Sequence, residues 1–228
     1  MTIPGRIIAA FSLGTAMMLA CMPAAGAHET GPHGPEGTAP AVPVKAPEAA
    51  CTCEAARLDT GWCEIHDVGY VASIPIQSRV LYETLDAHGH TLDLDAFRCE
   101  SCREAIRTDG FCERDRVGFI ENQAYFSRLT YELARGEKRP PETIACPACR
   151  KNAGSHGWCE THGVGMIGAI QAKDRQGYDK AAAALEILIA ANEMAATCED
   201  CAVAMITDSL CARHRISYRG GKPVVAAP

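Results

Sequence analysis

A cysteine pattern that recurs four times constrains this chain more than any other feature of its sequence. Three copies have the spacing Cys-x2-Cys-x9-Cys-x2-X, where X is His or Asp, and the first copy has one residue fewer in its first pair. The second cysteines, Cys53, Cys102, Cys149 and Cys201, lie 49, 47 and 52 positions apart. A period of this length predicts a tandem array with one small supersecondary unit per copy. The residues of the pattern, in chain order, are Cys51, Cys53, Cys63 and His66; Cys99, Cys102, Cys112 and Asp115; Cys146, Cys149, Cys159 and His162; and Cys198, Cys201, Cys211 and His214.

The residues around the third cysteine repeat as well. Gly-Trp-Cys-Glu stands at 61–64 and 157–160, Gly-Phe-Cys-Glu at 110–113, and a degenerate Ser-Leu-Cys at 209–211. A second string follows in three copies: Val-Gly-Tyr-Val at 68–71, Val-Gly-Phe-Ile at 117–120 and Val-Gly-Met-Ile at 164–167. Its β-branched residues favour extended backbone, so we expect a short strand there.

Nine residues separate the cysteine pair from the third cysteine. That length fits two short strands and a turn, because a strand residue advances about 3.3 Å. Asp109-Gly110 is a favoured tight-turn dipeptide, and Gly61 and Gly157 stand at the equivalent place. We therefore expect a hairpin that brings the two ligand pairs of each copy together.

The long spacers predict helices, since their apolar residues recur at three- and four-residue steps. The fourth copy has no such spacer, and the last stripe is interrupted at Asn192. The expected stripes are Val80, Leu81 and Leu85; Tyr125, Leu129 and Leu133; and Tyr178, Ala181, Ala182, Leu185, Leu188 and Ile189.

These elements predict an α+β protein: a tandem array of four small Cys3His or Cys3Asp metal-knuckle hairpin units joined by helices. The predicted boundaries are 51–98 for unit 1, 99–145 for unit 2 and 146–197 for unit 3, each with its helix. Unit 4, at 198–228, is a terminal cap and tail.

Three thiols and one imidazole at this spacing are typical of a tetrahedral Zn²⁺ site. The sequence therefore predicts up to four zinc ions, with Cu(I) as the second choice because thiolates are soft ligands. In unit 2, Asp115 offers a harder oxygen, and in unit 1 the pair Cys51 and Cys53 has a shorter bite. We expect those two sites to hold metal less tightly.

A disulfide framework is the main alternative, because it suits an exported chain with an even number of mature cysteines. Three cysteines per unit cannot all pair within the unit, however, and disulfides give no reason for a recurring histidine. Redox catalysis is a weaker alternative. No His follows a Cys-x2-Cys pair directly, so the c-type haem motif is absent.

The N-terminus predicts export. Residues 1–27 have the features of a signal peptide, with cleavage after Ala27, and the Pro/Gly/Ala-rich residues 28–50 form a tether. The expected location is the periplasm or the outside of the cell. In an alternative interpretation, Cys21 is lipidated and the product is membrane-associated.

Composition limits the function. A net charge of -6 disfavours nucleic acid as a partner, and the few aromatic residues (6%) beside 13 cysteines indicate small units without one large apolar core. No nucleophile elbow, phosphate loop or catalytic triad signature is present, so nothing positively indicates an enzyme.

Three further groups of residues have two interpretations each. Trp62, Phe111 and Trp158 either pack the core of their unit or shield the sulfurs. Glu64, Glu113 and Glu160 are either solvated or partners of a ligand or a neighbouring Arg. His88-Gly89-His90 is expected on the surface, with metal capture as the alternative.

The Cys-x2-Cys and Cys-x2-His pairs resemble the knuckle-and-hairpin sites of zinc-ribbon and treble-clef folds. The resemblance covers only the residues of each site, and Asp115 and the short first pair depart from it. It implies closed, structural Zn²⁺ sites. The favoured function is thus a zinc-stabilised scaffold for a protein partner. The alternatives are a Zn or Cu buffering or delivery protein with a metal-transport partner, and a disulfide-stapled repeat protein without metal.

Overall fold

The computed structural model describes residues 51–224. The predicted signal peptide, Cys21, the tether and the last four residues of the tail lie outside the described residues. The described helices are α1 (Cys53–Asp59), α2 (Arg79–Leu85), α3 (Glu100–Arg107), α4 (Arg128–Ala134), α5 (Pro147–Ser155), α6 (Arg175–Ala195) and α7 (Glu199–Thr207). Single 3-10 turns lie at Leu94–Ala96 and Pro141–Thr143.

All strands of the described residues are short. In chain order they are β1 (Gly61–Cys63), β2 (Val68–Val71), β3 (Ile74–Ile76), β4 (His90–Thr91), β5 (Phe111–Cys112), β6 (Val117–Ile120), β7 (Gln123–Tyr125), β8 (Glu137–Lys138), β9 (Trp158–Cys159), β10 (Val164–Ile167), β11 (Ile170–Ala172), β12 (Leu210–Cys211), β13 (Ile216–Arg219) and β14 (Lys222–Val224).

Each of the four units repeats one motif, a short helix followed by a three-stranded antiparallel meander. The motifs are α1-β1-β2-β3, α3-β5-β6-β7, α5-β9-β10-β11 and α7-β12-β13-β14. Helices α2, α4 and α6 separate them. The α+β repeat architecture is therefore confirmed, and so is the strand predicted at the Val-Gly string of the first three units.

The hairpin predicted between the two ligand pairs is wrong. Much of the nine-residue spacer is helical instead. Because a helix advances only about 1.5 Å per residue, the spacer covers a short distance and the third cysteine stays close to the pair. A residue with positive φ then lies between each helix and the strand that follows: Thr60, Asp109, His156 and Asp208 have φ of 59°, 48°, 55° and 54°. Asp109-Gly110 is therefore a helix-to-strand corner. The hairpins come later, between the strands of the meander.

The predicted linking helices are present, but some residues of the predicted apolar stripes lie elsewhere or are exposed. Tyr125 lies in strand β7 because α4 begins only after its capping residue Ser127. In α6 the buried face includes Leu185 and Leu188, whereas Ile189 is exposed, and the helix continues past Asn192. Val80 of α2 is also exposed.

The spacers also contribute two edge strands that the sequence pattern does not reveal. Strand β4 pairs with β7 of unit 2, and β8 pairs with β11 of unit 3. The sheets of units 2 and 3 thus have four strands, in the orders β4-β7-β6-β5 and β8-β11-β10-β9, whereas those of units 1 and 4 have three. Each added strand ties a spacer to the unit that follows it.

The main core joins the helix-meander motifs of units 1, 3 and 4 and the linking helices, including α4, which follows the motif of unit 2. Buried side chains of α2, α4, α6 and α7 meet there with Val71, Ile76 and Ile167 of the sheets. Polar contacts span the same junction. Ser78 Oγ donates to Glu199 Oε1 at 2.6 Å, and Asn192 Nδ2 donates to the Pro75 carbonyl at 3.0 Å. The units therefore pack against one another.

Unit 2 has a small core of its own. It contains the buried Cys102, Ala105, Cys112, Val117, Phe119 and Ala124, with partly buried residues around them. Its Phe119 ring meets Phe97 edge-on, with centroids 5.2 Å apart.

Within residues 51–224, no helix combines the length and apolar character needed to span a membrane.

Candidate metal centres

The structure brings the sixteen residues of the cysteine pattern together in four clusters, one per unit. In each cluster the three Sγ atoms and the fourth residue's nitrogen or oxygen all lie within 4.8 Å of one another. The four clusters are consistent with zinc-knuckle sites and can each hold a metal ion. That these side chains ligate a metal remains a prediction.

The same local structure builds every cluster. The first cysteine lies just before the short helix or at its N-terminus, and the second lies in its first turn. The third ends the first strand of the meander, and the fourth residue lies in the turn to the next strand. The tight turn is closed by backbone bonds such as Arg215 N–H to the Cys211 carbonyl, at 2.7 Å.

The three histidines all face the thiols through Nδ1. In unit 1, His66 Nδ1 lies 3.5, 3.2 and 3.5 Å from the sulfurs of Cys51, Cys53 and Cys63. A tetrahedral zinc with bonds of about 2.3 Å to sulfur and about 2.0 Å to nitrogen separates S from N by about 3.5 Å. The ligand spacing therefore suits a zinc ion.

Units 3 and 4 have the same spacing. His162 Nδ1 lies 3.4 Å from Cys149 Sγ and 3.6 Å from Cys159 Sγ. His214 Nδ1 lies 3.1 Å from Cys201 Sγ and 3.7 Å from Cys211 Sγ. The recurrence of one geometry in separate units argues for a common ligand.

In unit 2 the Asp115 carboxylate stands where the others have an imidazole. Asp115 Oδ2 accepts from Cys102 Sγ at 3.1 Å and lies 4.0 Å from Cys112 Sγ. Hydrogen bonds from the Cys99 and Cys102 thiols hold the pKa of Asp115 below its ordinary value. A charged oxygen thus completes this cluster.

Electrostatics distinguish the cysteines within a cluster. Burial raises the pKa of Cys63, but hydrogen bonds from the backbone N–H groups of His66 and Thr52, and from the Cys53 and His66 side chains, together lower it to about 5. The pKa of Cys53 is raised to about 11, mainly by a hydrogen bond to Cys63 and to a smaller extent by burial. Deprotonation of Cys63 is therefore favoured, and the Cys63 thiolate in turn disfavours deprotonation of Cys53. A bound cation would favour the deprotonated form of both thiols, since thiolates are the metal-binding form.

Unit 4 shows the same contrast in a more buried setting. Burial opposes the charged form of Cys211, yet backbone donation from His214 lowers its pKa to about 7. The pKa of Cys201 is raised to about 11, mainly by burial and to a smaller extent by a hydrogen bond to Cys211.

The clusters differ in their access to water. In unit 1 Cys51 is exposed and Cys53 half-buried, whereas in unit 4 Cys198, Cys201 and Cys211 are all buried. The cysteines of unit 4 belong to the main core. Unit 1 therefore has the most open cluster and unit 4 the most closed.

A repeated clamp joins the first three clusters to the helix that follows each unit. In unit 1, Trp62 packs against Tyr82 with ring centroids 5.1 Å apart, and the Arg79 guanidinium lies 4.5 Å from the Trp62 centroid. Arg79 also pairs with Glu64 at 3.1 Å. Units 2 and 3 repeat the arrangement with Phe111, Tyr131, Arg128 and Glu113, and with Trp158, Tyr178, Arg175 and Glu160.

The clamp bears on two of the open interpretations. Each aromatic side chain packs against a tyrosine, and each glutamate is exposed yet pairs with an arginine. The sequence carries a signal for the clamp that cysteine spacing alone misses. In units 1 to 3, Arg stands sixteen positions and Tyr nineteen positions after the third cysteine.

The glycine of the Val-Gly string makes room for that tyrosine. A Cβ atom on Gly69, Gly118 or Gly165 would lie 2.4, 2.2 or 2.1 Å from a ring carbon of the tyrosine in the same unit. Unit 4 has Ser217 at this position, and within residues 51–224 no helix follows its meander. Its Leu210, at the place of the aromatic residue, is 57% exposed.

No disulfide joins any of the twelve cysteines in the described part of the chain. The chain matches no protein-family model, no curated protein and no solved structure. The cysteine clusters are thus the feature on which a functional conclusion must rest.

Proposed function

We propose that this chain is an exported zinc-binding repeat protein whose metal ions are mainly structural. Its packed units would serve as a scaffold for a protein partner. The observation that carries the proposal is the position of the clusters inside the fold: the three thiols of unit 4 are core residues. Where ligands are also core side chains, metal binding contributes directly to the free energy of folding.

The donor sets support zinc over other metals. Three sulfurs with one nitrogen are a usual composition of a structural zinc site, and an Asp oxygen in the fourth position also closes a set of four. An Asp ligand is acceptable to Zn²⁺ but poor for Cu(I), which is softer. All four clusters can therefore take the same ion if that ion is zinc.

Metal content and intact mass of the full chain, purified without reductant, test this proposal. We expect close to four zinc ions per chain with the twelve described cysteines reduced, and unfolding when a strong chelator is added. A mass lower by twelve hydrogens without any metal would instead establish six disulfides. That result would overturn the zinc proposal.

Export is a separate part of the proposal, and it rests on the sequence of residues 1–50. N-terminal sequencing of the native protein should give His28 at the first position. A lipidated Cys21 in the membrane fraction would support the alternative anchoring. A cytoplasmic protein that retains Met1 would contradict both.

A second candidate function, metal buffering or delivery, is favoured by the open cluster of unit 1. Its Cys51 is exposed, and a carrier needs a site from which metal can leave. Competitive chelation with thiol alkylation and peptide mass mapping gives the order of release. A carrier should release metal from Cys51, Cys53 and Cys63 first and from unit 4 last. Release from units 3 and 4 first would remove the basis for this candidate.

A further inference from the structure

A fifth cluster of ligand side chains lies outside the four cysteine sites. His88 Nε2 is 3.3 Å from Asp86 Oδ1, and His90 Nε2 is 2.8 Å from Asp86 Oδ2. The ligand atoms of the three residues all lie within 4.8 Å of one another. Both imidazoles thus direct the same type of nitrogen toward one carboxylate.

Two elements of the fold bring these residues together. Asp86 ends helix α2 in a left-handed conformation, with φ 44° and ψ 51°. His90 begins strand β4, and its backbone pairs with Ala124 of β7. Between the histidines, Gly89 passes so close to β7 that a Cβ atom there would lie 2.4 Å from Gln123 Oε1. The sheet of unit 2 therefore fixes His90 relative to the end of α2.

Ring contacts fix the histidines further. The His88 and His90 rings have centroids 4.7 Å apart, and His90 also meets Phe126 at 5.1 Å. The side chains of His88, Asp86 and His90 are 63%, 36% and 30% exposed. The cluster is thus held by the fold but open to water on one side.

We propose that Asp86, His88 and His90 form a fifth metal site, which takes Zn²⁺ or a similar divalent cation. Two imidazole nitrogens and a carboxylate suit divalent ions of borderline softness, and the absence of sulfur from this donor set makes it a poor site for Cu(I). Three protein ligands leave a fourth position to water or to an incoming group, which is the composition of an open zinc site.

The site differs in kind from the four cysteine clusters. Those have four protein ligands each, whereas this site has three and faces solvent. Metal bound here exchanges faster and binds more weakly than metal held by three thiolates. The inference does not depend on whether the cysteine-bound metals are structural.

Zinc titration of the untagged full chain tests the site. The protein is first loaded until its four cysteine clusters are saturated, and further Zn²⁺ is then added in a calorimeter. We expect a fifth, weaker equivalent in the wild type and its loss in the double variant H88A/H90A. The variant D86N should keep the fold and weaken the fifth equivalent, because it replaces a charged carboxylate ligand with a neutral amide.

The control is the double variant H28A/H33A, which removes the two histidines of the predicted tether. It should retain the fifth equivalent. Retention of that equivalent in H88A/H90A, or its loss in H28A/H33A, would overturn the proposal, and so would a wild type that binds only four ions.

Two measurements on the wild type do not depend on how a variant folds. The ring resonances of His88 and His90 should shift with the fifth equivalent of Zn²⁺ in NMR spectra. When Co²⁺ replaces that equivalent, it should add no thiolate-to-metal charge-transfer absorption, since the site has no sulfur. New charge-transfer bands, or unmoved His88 and His90 resonances, would place the fifth ion elsewhere.

Discussion

Tyr178 lies directly over Gly165, and this contact sets the distance between helix α6 and the sheet of unit 3. A Cβ atom at position 165 would approach the Tyr178 ring to 2.1 Å, so the ring or the helix must move. We expect Gly165→Ala to reduce the free energy of unfolding by about 1–3 kcal/mol, the usual cost of overpacking. Urea denaturation of the zinc-saturated protein measures the change.

Gly154→Ala is the matched control. Gly154 lies in α5 of the same unit, and a Cβ atom there meets nothing within 4 Å. This variant should be as stable as the wild type, or more stable by up to about 1 kcal/mol because alanine favours the helix. Equal stability of the two variants would mean that the Tyr178 contact is not tight.

The same contact explains a departure in the fourth repeat. Ser217 replaces the glycine, and no tyrosine-bearing helix covers its sheet in the described residues. The residue that would obstruct such a helix is thus present only where the helix is missing.

At the level of elements, α6 has one buried face that the other helices pack against. Leu188 is fully buried in the main core, whereas its neighbour Ile189 is 37% exposed. We expect Leu188→Ala to destabilise the protein by about 2–5 kcal/mol, because it leaves a cavity. Thermal or urea unfolding with saturating zinc measures the loss.

Ile189→Ala provides the comparison on the same helix turn. It removes a side chain of equal size from a position with access to solvent, so its effect should be much smaller. Similar losses for the two variants would contradict the assigned buried face of α6.

The four clusters can be predicted from the local spacing of their residues. The helix between the ligand pairs and the short edge strands cannot be predicted in this way. The ligands of each cluster lie within sixteen or seventeen residues of chain, so their grouping could be inferred without any long-range contact. The spacer between ligand pairs was misjudged because Asp109-Gly110 suits a hairpin turn and a left-handed helix end alike. The edge strands β4 and β8, with two residues each, are too short to show a period.

At the level of the whole molecule, the four cysteine clusters lie in different cores and therefore do not stabilise the same parts of the fold. Cys112 belongs to the separate small core of unit 2, whereas Cys211 belongs to the core that units 1, 3 and 4 share. The removal of one ligand should therefore have a local effect in unit 2 and a widespread one in unit 4.

Cys112→Ser and Cys211→Ser form a matched pair for this prediction. In hydrogen exchange measured by mass spectrometry, Cys112→Ser should increase exchange in α3 and β5–β7 and leave α6 protected. Cys211→Ser should increase exchange in α6 and α7 as well. Loss of protection in α6 after Cys112→Ser would show that the two cores unfold as one.

The contact between helices α2 and α7 also bears on the order in which the protein folds as it is made. A ribosome releases α2 well over a hundred residues before α7, its neighbour in the main core. Contacts between such distant parts of a chain form slowly, and a segment that waits for them exposes its apolar side chains. Helix α2 is therefore synthesised long before its partner, and the side of α2 that α7 covers stays exposed until the C-terminal unit arrives.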